Sequence, residues 1–420
     1  MELKEIYKIF LDSEGISTDT RSIKQGEIYF GLKGETYDGN KFALDALRKG
    51  ALAVISDDSS LDRNNDIFIV NNSLQFLQSL AHFHRKSLGV PVIAITGSNG
   101  KTTTKELLYE VLSQKYKVLK TAGNFNNHIG VPLSLLRIRS DHEIAIIEMG
   151  ANHPNDIQEL CEIADPDIGL ITNVGKAHLG EFGSFEKVVE TKTEMYRYLE
   201  KKGTVFVNAN NKLLKANIPN DLQVIYYFEE EVILIEKENN YLSIRYKEET
   251  IDTQLFGSYN TENIIAAIEI GKYFKVDLIS AIKGIESYVP ENMRSQVKVL
   301  KNTKFVLDSY NANLSSMKAS LESFSKLKEE KIIILGDMLE MGIYADEVHS
   351  ELQDYIDIDL YSDIIFIGKN FQDNKKIDKA LYFDTLDSYL EIMDISNFQG
   401  KAVLLKGSRS MGLEKILDSF

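Results

Sequence analysis

The sequence predicts an α/β protein of three domains, on three observations. Its 420 residues are more than one hydrophobic core serves, so several domains are expected. Short apolar runs alternate with helical patterns, which implies mostly parallel sheets with helices on both faces. The run Ile93-Ala94-Ile95-Thr96 passes into a glycine-bracketed turn, Gly97-Ser98-Asn99-Gly100-Lys101-Thr102, and then into an amphipathic helix. That strand–turn–helix unit opens a parallel sheet.

Residues 1–88 read as a small α/β domain. The segment 1–10 is an amphipathic helix pattern, and 26–32 and 51–55 are strand-like. The stretch 42–49 predicts a helix that Gly50 ends, because glycine accepts the C-cap conformation. A helix over 73–87 leads to Gly89-Val90-Pro91, a plausible boundary.

Residues 89–298 read as the central domain, a P-loop-type, mostly parallel sheet with flanking helices. Strands are expected at 144–149 and 168–172. The stretch 224–255 alternates apolar and polar residues and predicts an antiparallel annex.

Residues 299–420 repeat the α/β rhythm as a Rossmann-like domain. The runs 305–308, 331–336, 364–368 and 402–407 are nearly all apolar, as in strands buried on both faces. Open α/β sheets bind ligands at the C-terminal edges of such strands.

Composition excludes some classes. Lys and Arg total 48 against 63 Asp and Glu, a net charge of −15. That balance argues against a nucleic-acid partner, which needs a basic surface. It leaves room for a nucleotide, which needs only a local cation. A single cysteine, Cys161, forms no internal disulfide and fits a reducing cytoplasm. The first residues carry charges throughout and form neither a secretory apolar region nor a membrane anchor.

The turn at 97–102 has the chemistry of a triphosphate cradle. Gly97 and Gly100 let backbone N–H groups face one anion, and the helix start adds its positive dipole end. Lys101 can reach the outer phosphates, and the Thr102 hydroxyl, with Thr103 beside it, can ligate Mg²⁺. The spacing is shorter than the common G-x-x-x-x-G-K-[ST] pattern, and such a turn also forms without a ligand. Glu148 ends a buried strand. It reads equally as a second Mg²⁺ ligand or as a carboxylate facing water. His178 follows a strand on a Gly-containing loop, where surface and packing roles are commoner than metal binding. Lys192 alone reads as a solvated helix lysine.

Together these positions are more specific. The turn 97–102, Glu148, His178 and Lys192 stand in the order and approximate spacing of the Mur ligase family, which this chain resembles. Gly257-Ser258-Tyr259-Asn260-Thr261-Glu262-Asn263 with Ala266-Ala267 resembles the family stretch that contacts adenine, with Tyr259 where histidine is usual. Met293-Arg294 matches its nucleotide-closing arginine. The blocks Asp308-Ser309-Tyr310-Asn311-Ala312-Asn313, 335–342 and 406–414 resemble the members that add D-Ala-D-Ala, with Leu314 where proline is usual. Ser17–Arg21 and Gly31–Asn40 are similar to the UDP-substrate domain, and Gly123–Pro132 to a loop facing the muramoyl peptide.

The resemblance implies an ATP-dependent amide ligase that transfers the γ-phosphoryl group to the carboxylate of UDP-MurNAc-tripeptide. D-Ala-D-Ala would then attack the acyl phosphate. It implies catalysis by Lys101, Glu148, His178 and Lys192. Nucleotide binding would fall to Gly97, Ser98, Asn99, Gly100, Lys101, Thr102, Thr103, Asn260, Asn263, Arg294 and Asp308. Two Mg²⁺ sites would use Thr102, Glu148, His178 and a carbamylated Lys192. Thr20, Arg21, Asn126, Asn127, Tyr310, Asn311 and Asn313 would meet the substrates. A cytoplasmic monomer without membrane insertion is expected. Three alternatives stay open. One is another amide ligase of the superfamily, such as folylpolyglutamate synthase or the diaminopimelate-adding enzyme. The others are a nucleotide-binding scaffold without catalysis, and a P-loop motor or kinase.

Overall fold

The computed structural model describes residues 3–61, 66–176, 179–228, 231–237, 241–291 and 293–420. The first sheet holds β1 (Gly15–Ser17), β2 (Glu27–Phe30), β3 (Ala53–Ser56) and β4 (Ile67–Ile69), parallel and in chain order. Helices Leu3–Asp12 and Ser73–Leu88 share its core through Ile6, Phe10, Leu77 and Leu80. Asn72 caps the second helix by accepting from the Gln75 N–H, and Gly89 ends it at φ +65°.

The central sheet holds β5 (Val92–Thr96), β6 (Val118–Lys120), β7 (Ile144–Glu148), β8 (Ile168–Ile171), β9 (Thr204–Asn208) and β10 (Gln223–Tyr227). All its pairings are parallel, in the order β10-β9-β8-β5-β7-β6. The chain winds to one side of β5 through β6 and β7, then to the other through β8 to β10. A crevice opens beyond the C-terminal end of β5, at this switch point.

Strict alternation builds the core on both faces. Val92 and Ala94 pack on one side of the sheet, Ile93 and Ile95 on the other. Ala145 and Ile147 follow the first pair, Ile144 and Ile146 the second. The helix Lys101–Ser113 covers the second face with Leu107, Leu108 and Val111. Helices Thr261–Tyr273 and Leu278–Ser287 pack closely on it. A Cβ at Gly271 would stand 2.4 Å from Val111 Cγ1, and one at Gly284 would stand 2.6 Å from the Glu110 carbonyl.

The antiparallel annex is narrower than its sequence pattern suggested. It comprises β11 (Val232–Ile235), β12 (Ser243–Tyr246) and β13 (Glu249–Asp252). The stretch from Val224 instead forms β10, which pairs parallel to β9. Alternation reports which face is buried, not the direction of the neighbouring strand.

The last sheet holds β14 (Gln296–Leu300), β15 (Thr303–Leu307), β16 (Lys331–Gly336), β17 (Asp363–Ile367), β18 (Leu381–Phe383) and β19 (Ala402–Lys406). Its order is β14-β15-β19-β16-β17-β18, parallel except for β14. The boundary expected between 298 and 299 falls inside β14, whose hairpin with β15 ties 296–300 to this sheet.

Candidate active site

The turn after β5 takes a shape that its neighbours enforce. Gly97 has φ +141° and Gly100 φ +79°. A Cβ on Gly97 would lie 2.1 Å from Thr172 Oγ1, and one on Gly100 would lie 2.6 Å from Asn263 Oδ1. The loop after β8 clamps the Asn99 backbone between them. The Asn99 N–H donates to Asn173 Oδ1 at 3.0 Å, and its carbonyl accepts from Thr172 Oγ1 at 2.6 Å and Asn173 Nδ2 at 3.1 Å. Gly100 starts the helix without a side-chain cap, so its first N–H groups have no capping side chain.

Lys101 curls back over this turn, its Nζ donating to the Gly97 carbonyl at 2.7 Å. Burial pushes its ammonium down from the ordinary lysine value, while the Glu148 carboxylate pulls the other way. Glu148 shares the face of Ile144 and Ile146, under the helix, and is itself buried. Thr102 Oγ1 donates to Glu148 Oε2 at 2.9 Å, and Asn126 Nδ2 donates to Oε1 at 2.8 Å. A hydroxyl and a carboxylate set side by side are hard oxygen donors that suit Mg²⁺. Among the described residues no three His, Cys, Asp or Glu cluster as a metal site. A nucleotide-borne Mg²⁺ needs only one or two such carboxylates.

These groups line a cavity of about 550 Å³. Ser98, Asn99, Gly100, Lys101, Thr102 and Thr103 form its floor, with Asn126 and Glu148 beside them. Asn260 and Asn263 line another side, braced by their own bonds. Asn263 Nδ2 donates to Asn260 Oδ1 at 2.9 Å, Thr104 Oγ1 donates to Asn263 Oδ1 at 3.0 Å, and Asn260 Nδ2 donates to Ser295 Oγ at 3.0 Å. Tyr259 extends this wall, its hydroxyl 3.0 Å from Ser295 Oγ, and burial raises its phenol so that it stays neutral.

Segments flanking β14 and β15 of the last sheet add Arg294, Asp308, Tyr310 and Asn311 to the lining. The Arg294 guanidinium lies 3.5 Å from the Tyr310 ring centroid, and that of Arg409 lies 4.9 Å from it. Asp308 is a junction. It accepts from Lys406 Nζ at 2.6 Å, from Ser320 Oγ at 3.2 Å and from the Ser295 N–H at 3.2 Å. Asn311 Nδ2 donates to Glu340 Oε2 at 3.2 Å.

Several expected residues have other positions. Gly97 shapes the turn without lining the cavity. Asn313 caps helix Leu314–Ser325, accepting from the Ser316 N–H at 3.0 Å, and donates through Nδ2 to Asn99 Oδ1 at 2.8 Å. Asn99 Nδ2 donates to Ser315 Oγ at 3.0 Å, and Ser315 Oγ donates to Asn313 Oδ1 at 2.7 Å. Asn313 thus closes a ring between the turn and the last domain, so its amide is engaged there rather than toward a substrate. Asn127 Oδ1 accepts from the Gly130 N–H at 2.9 Å, at the start of helix Gly130–Leu135.

Thr20 and Arg21 lie in the first domain, outside the cavity. Arg21 Nη2 donates to Asp19 Oδ2 at 2.6 Å, and this bond holds the Asp19 carboxyl at about 2. The Thr20 carbonyl accepts from Lys49 Nζ at 2.9 Å. Lys192 is buried in helix Phe185–Leu199, its Nζ 5.9 Å from the Phe182 ring centroid, and does not line the cavity. Burial, with the charge of Lys101 in range, brings its ammonium down to about 7. His178 lies outside the described residues.

Sequence reading missed Lys105, Lys406, Asn173 and Ser315. Lys105 had one usable signal, its spacing one helical turn beyond Lys101. The others act across long sequence separations.

The Mur ligase middle domain matches residues 95–271, the glutamate ligase domain of Mur ligases matches 293–409, and the Mur ligase family catalytic domain matches 12–85. The UDP-N-acetylmuramoyl-tripeptide–D-alanyl-D-alanine ligase of Bacillus subtilis is 33% identical, over 96% of this chain and 92% of that protein. The chain belongs to the Mur ligase family. Two solved Mur ligases share its architecture. MurF from Acinetobacter baumannii superposes with a TM-score of 0.87 at 26% identity, covering 99% of this chain and 98% of that one. The MurF ligase from Thermotoga maritima in complex with ADP gives 0.85 at 27% identity, covering 98% and 97%. Their three-domain fold bears out the α/β class read from the sequence.

Proposed function

We propose that this Mur ligase is the ATP-dependent enzyme that joins D-Ala-D-Ala to UDP-MurNAc-tripeptide in peptidoglycan precursor synthesis. Geometrically, one observation carries the reading. A phosphate turn, an ammonium and a carboxylate–hydroxyl pair converge on one cavity, whose lining is completed by segments flanking strands of another sheet. Similarity to the Bacillus subtilis ligase over almost the whole chain supports the choice of substrates.

The functional division follows the three units. Residues 1–88 hold the UDP-linked substrate, the central domain as far as β14 holds ATP, and β14 with the rest of the chain holds the incoming dipeptide. Among the described residues no helix is long and apolar enough to cross a membrane. A cytoplasmic monomer completes the proposal, since ATP is available in that compartment.

The reaction has two steps. An oxygen of the tripeptide carboxylate attacks the γ-phosphorus of ATP, the bond to the β-phosphate oxygen breaks, and ADP leaves. The amine of D-Ala-D-Ala then attacks the acyl carbon, loses its proton, and inorganic phosphate departs. Two like unit charges about 4 Å apart repel by roughly 4 kcal/mol at an effective dielectric near 20. The Lys101 ammonium and the helix N-terminus offset that repulsion. Thr102 and Glu148 would hold Mg²⁺, which would supply charge neutralisation for the phosphates. His178 and Lys192 would hold a second Mg²⁺. Arg294 closes over the nucleotide against Tyr310, while Asp308 fixes the hinge and excludes water from the acyl phosphate. Asn311 and Tyr310 face the dipeptide, and Asn126 orients Glu148.

Carbamylation of Lys192 belongs to this proposal. An ammonium is a poor neighbour for Mg²⁺, whereas a carbamate offers anionic oxygens. The buried position of Lys192 shields such an adduct. With ¹³C-bicarbonate and Mg²⁺, a carbamate resonance is expected that is absent in Lys192→Ala. Short carboxylates should restore part of that variant's activity. A bare amine under those conditions contradicts the assignment.

The ring joining Asn99, Asn313 and Ser315 predicts coupling between closure and nucleotide binding. Asn313→Ser keeps a capping hydroxyl but is too short to reach Asn99. Calorimetry should show ADP affinity falling by roughly fivefold to tenfold, with the melting temperature little changed. Adding Asn99→Ala should cost less than the two single changes summed, because both break the Asn313–Asn99 bond and Asn99→Ala alone also loses the bond to Ser315 Oγ.

A further inference from the structure

The mechanism leaves the buried charge of Lys105 unused. Lys105 is wholly buried in the helix that follows the phosphate turn. Its Nζ lies 3.5 Å from Glu148 Oε2, 3.2 Å from Glu106 Oε1 and 3.4 Å from the Gly123 carbonyl. Glu106 is paired in turn with Lys120. A chain of alternating charges therefore runs Glu148, Lys105, Glu106, Lys120, from the cavity wall toward the surface.

We propose that Lys105 is the resident counter-ion of Glu148, which makes divalent-metal binding at Glu148 depend on the nucleotide. The inference rests on the reading of Glu148 as a metal ligand. A buried carboxylate without a counter-ion would bind a divalent ion tightly. Lys105 removes that pressure. It sits against the same carboxylate oxygen that accepts from Thr102, so the pair is held in place while the cavity holds no metal. It also repels a bare cation, because a positive charge already lies against one carboxylate oxygen. Phosphate oxygens bring the extra negative charge that tips the balance, so metal and nucleotide arrive and leave together. Lys105 acts through Glu148 and is a positioning residue.

Mn²⁺, which reports its free concentration by electron paramagnetic resonance, tests this on the full-length chain. Wild type should bind Mn²⁺ weakly alone and much more tightly with ADP. Lys105→Met should bind Mn²⁺ alone at least tenfold more tightly than wild type, and adding Glu148→Gln should abolish the gain. If Lys105→Met does not fold, as judged by thermal melting, Lys105→Gln supplies the test, because its amide still donates to Glu148 but carries no charge. A neutral variant that binds Mn²⁺ no more tightly than wild type overturns the proposal. Glu148→Gln alone should weaken Mn²⁺ binding in the presence of ADP. If it does not, the metal reading beneath the proposal fails instead.

Discussion

Lys101→Met is expected to lower kcat by about 10³-fold or more, equivalent to about 4 kcal/mol of transition-state stabilisation. Lys101 is well placed for that role. Its Nζ donates to the Gly97 carbonyl at 2.7 Å, a hold that phosphate oxygens can replace without moving the helix. The half-buried ammonium is disfavoured by desolvation, and Glu148 is its leading attractive partner. Anionic phosphates supply the charge that it lacks. Removing a cation that burial opposes should leave the fold at least as stable. The expected result is therefore an unchanged or higher melting temperature, lower ADP affinity and a near loss of phosphate release. A variant retaining a tenth of wild-type kcat would remove Lys101 from the mechanism.

Gly97→Ala should do comparable damage by a different route. At φ +141° an L-residue is strained, and the new Cβ would lie 2.1 Å from Thr172 Oγ1 and 3.0 Å from the Asn173 carbonyl. Thr172 cannot yield freely, because its hydroxyl donates to the Asn99 carbonyl at 2.6 Å and so holds the turn. Relieving the clash breaks that bond and turns the Asn99 peptide away from the phosphates. Expected are a loss of stability of about 2–3 kcal/mol by denaturant titration and ADP affinity too weak to measure by calorimetry. Gly34→Ala is the control, with nothing within 4 Å of its added Cβ, and should be neutral.

Local chemistry made much of the site legible. The turn from Gly97 to Thr102 combines residues whose backbone freedom, charge and hydroxyl suit one anion, and they are adjacent in the chain. Glu148 was legible as a strand-end carboxylate, yet whether it faced water or a partner depended on parity. Its place two residues beyond Ile146 puts it beneath the helix that carries Thr102. Asn313 shows the limit. Its sequence neighbourhood suggested a substrate contact, while its bonds cap a helix and reach Asn99 across 214 positions. Distant pairings of this kind leave no periodic trace. The same holds for β10, where alternating residues reported burial and not pairing direction, and for β14, whose hairpin moves the domain boundary. Lys105 went unread because a charged residue in a helix normally faces solvent, and only the closure of β7 beneath it removes that solvent.

Phosphate release tests the central claim most directly. The purified chain is supplied with ATP, Mg²⁺ and UDP-MurNAc-tripeptide, then with a panel of amines. Release should depend on D-Ala-D-Ala, with the product heavier by one dipeptide less one water. Release driven instead by a single amino acid, or independent of any amine, would contradict the account.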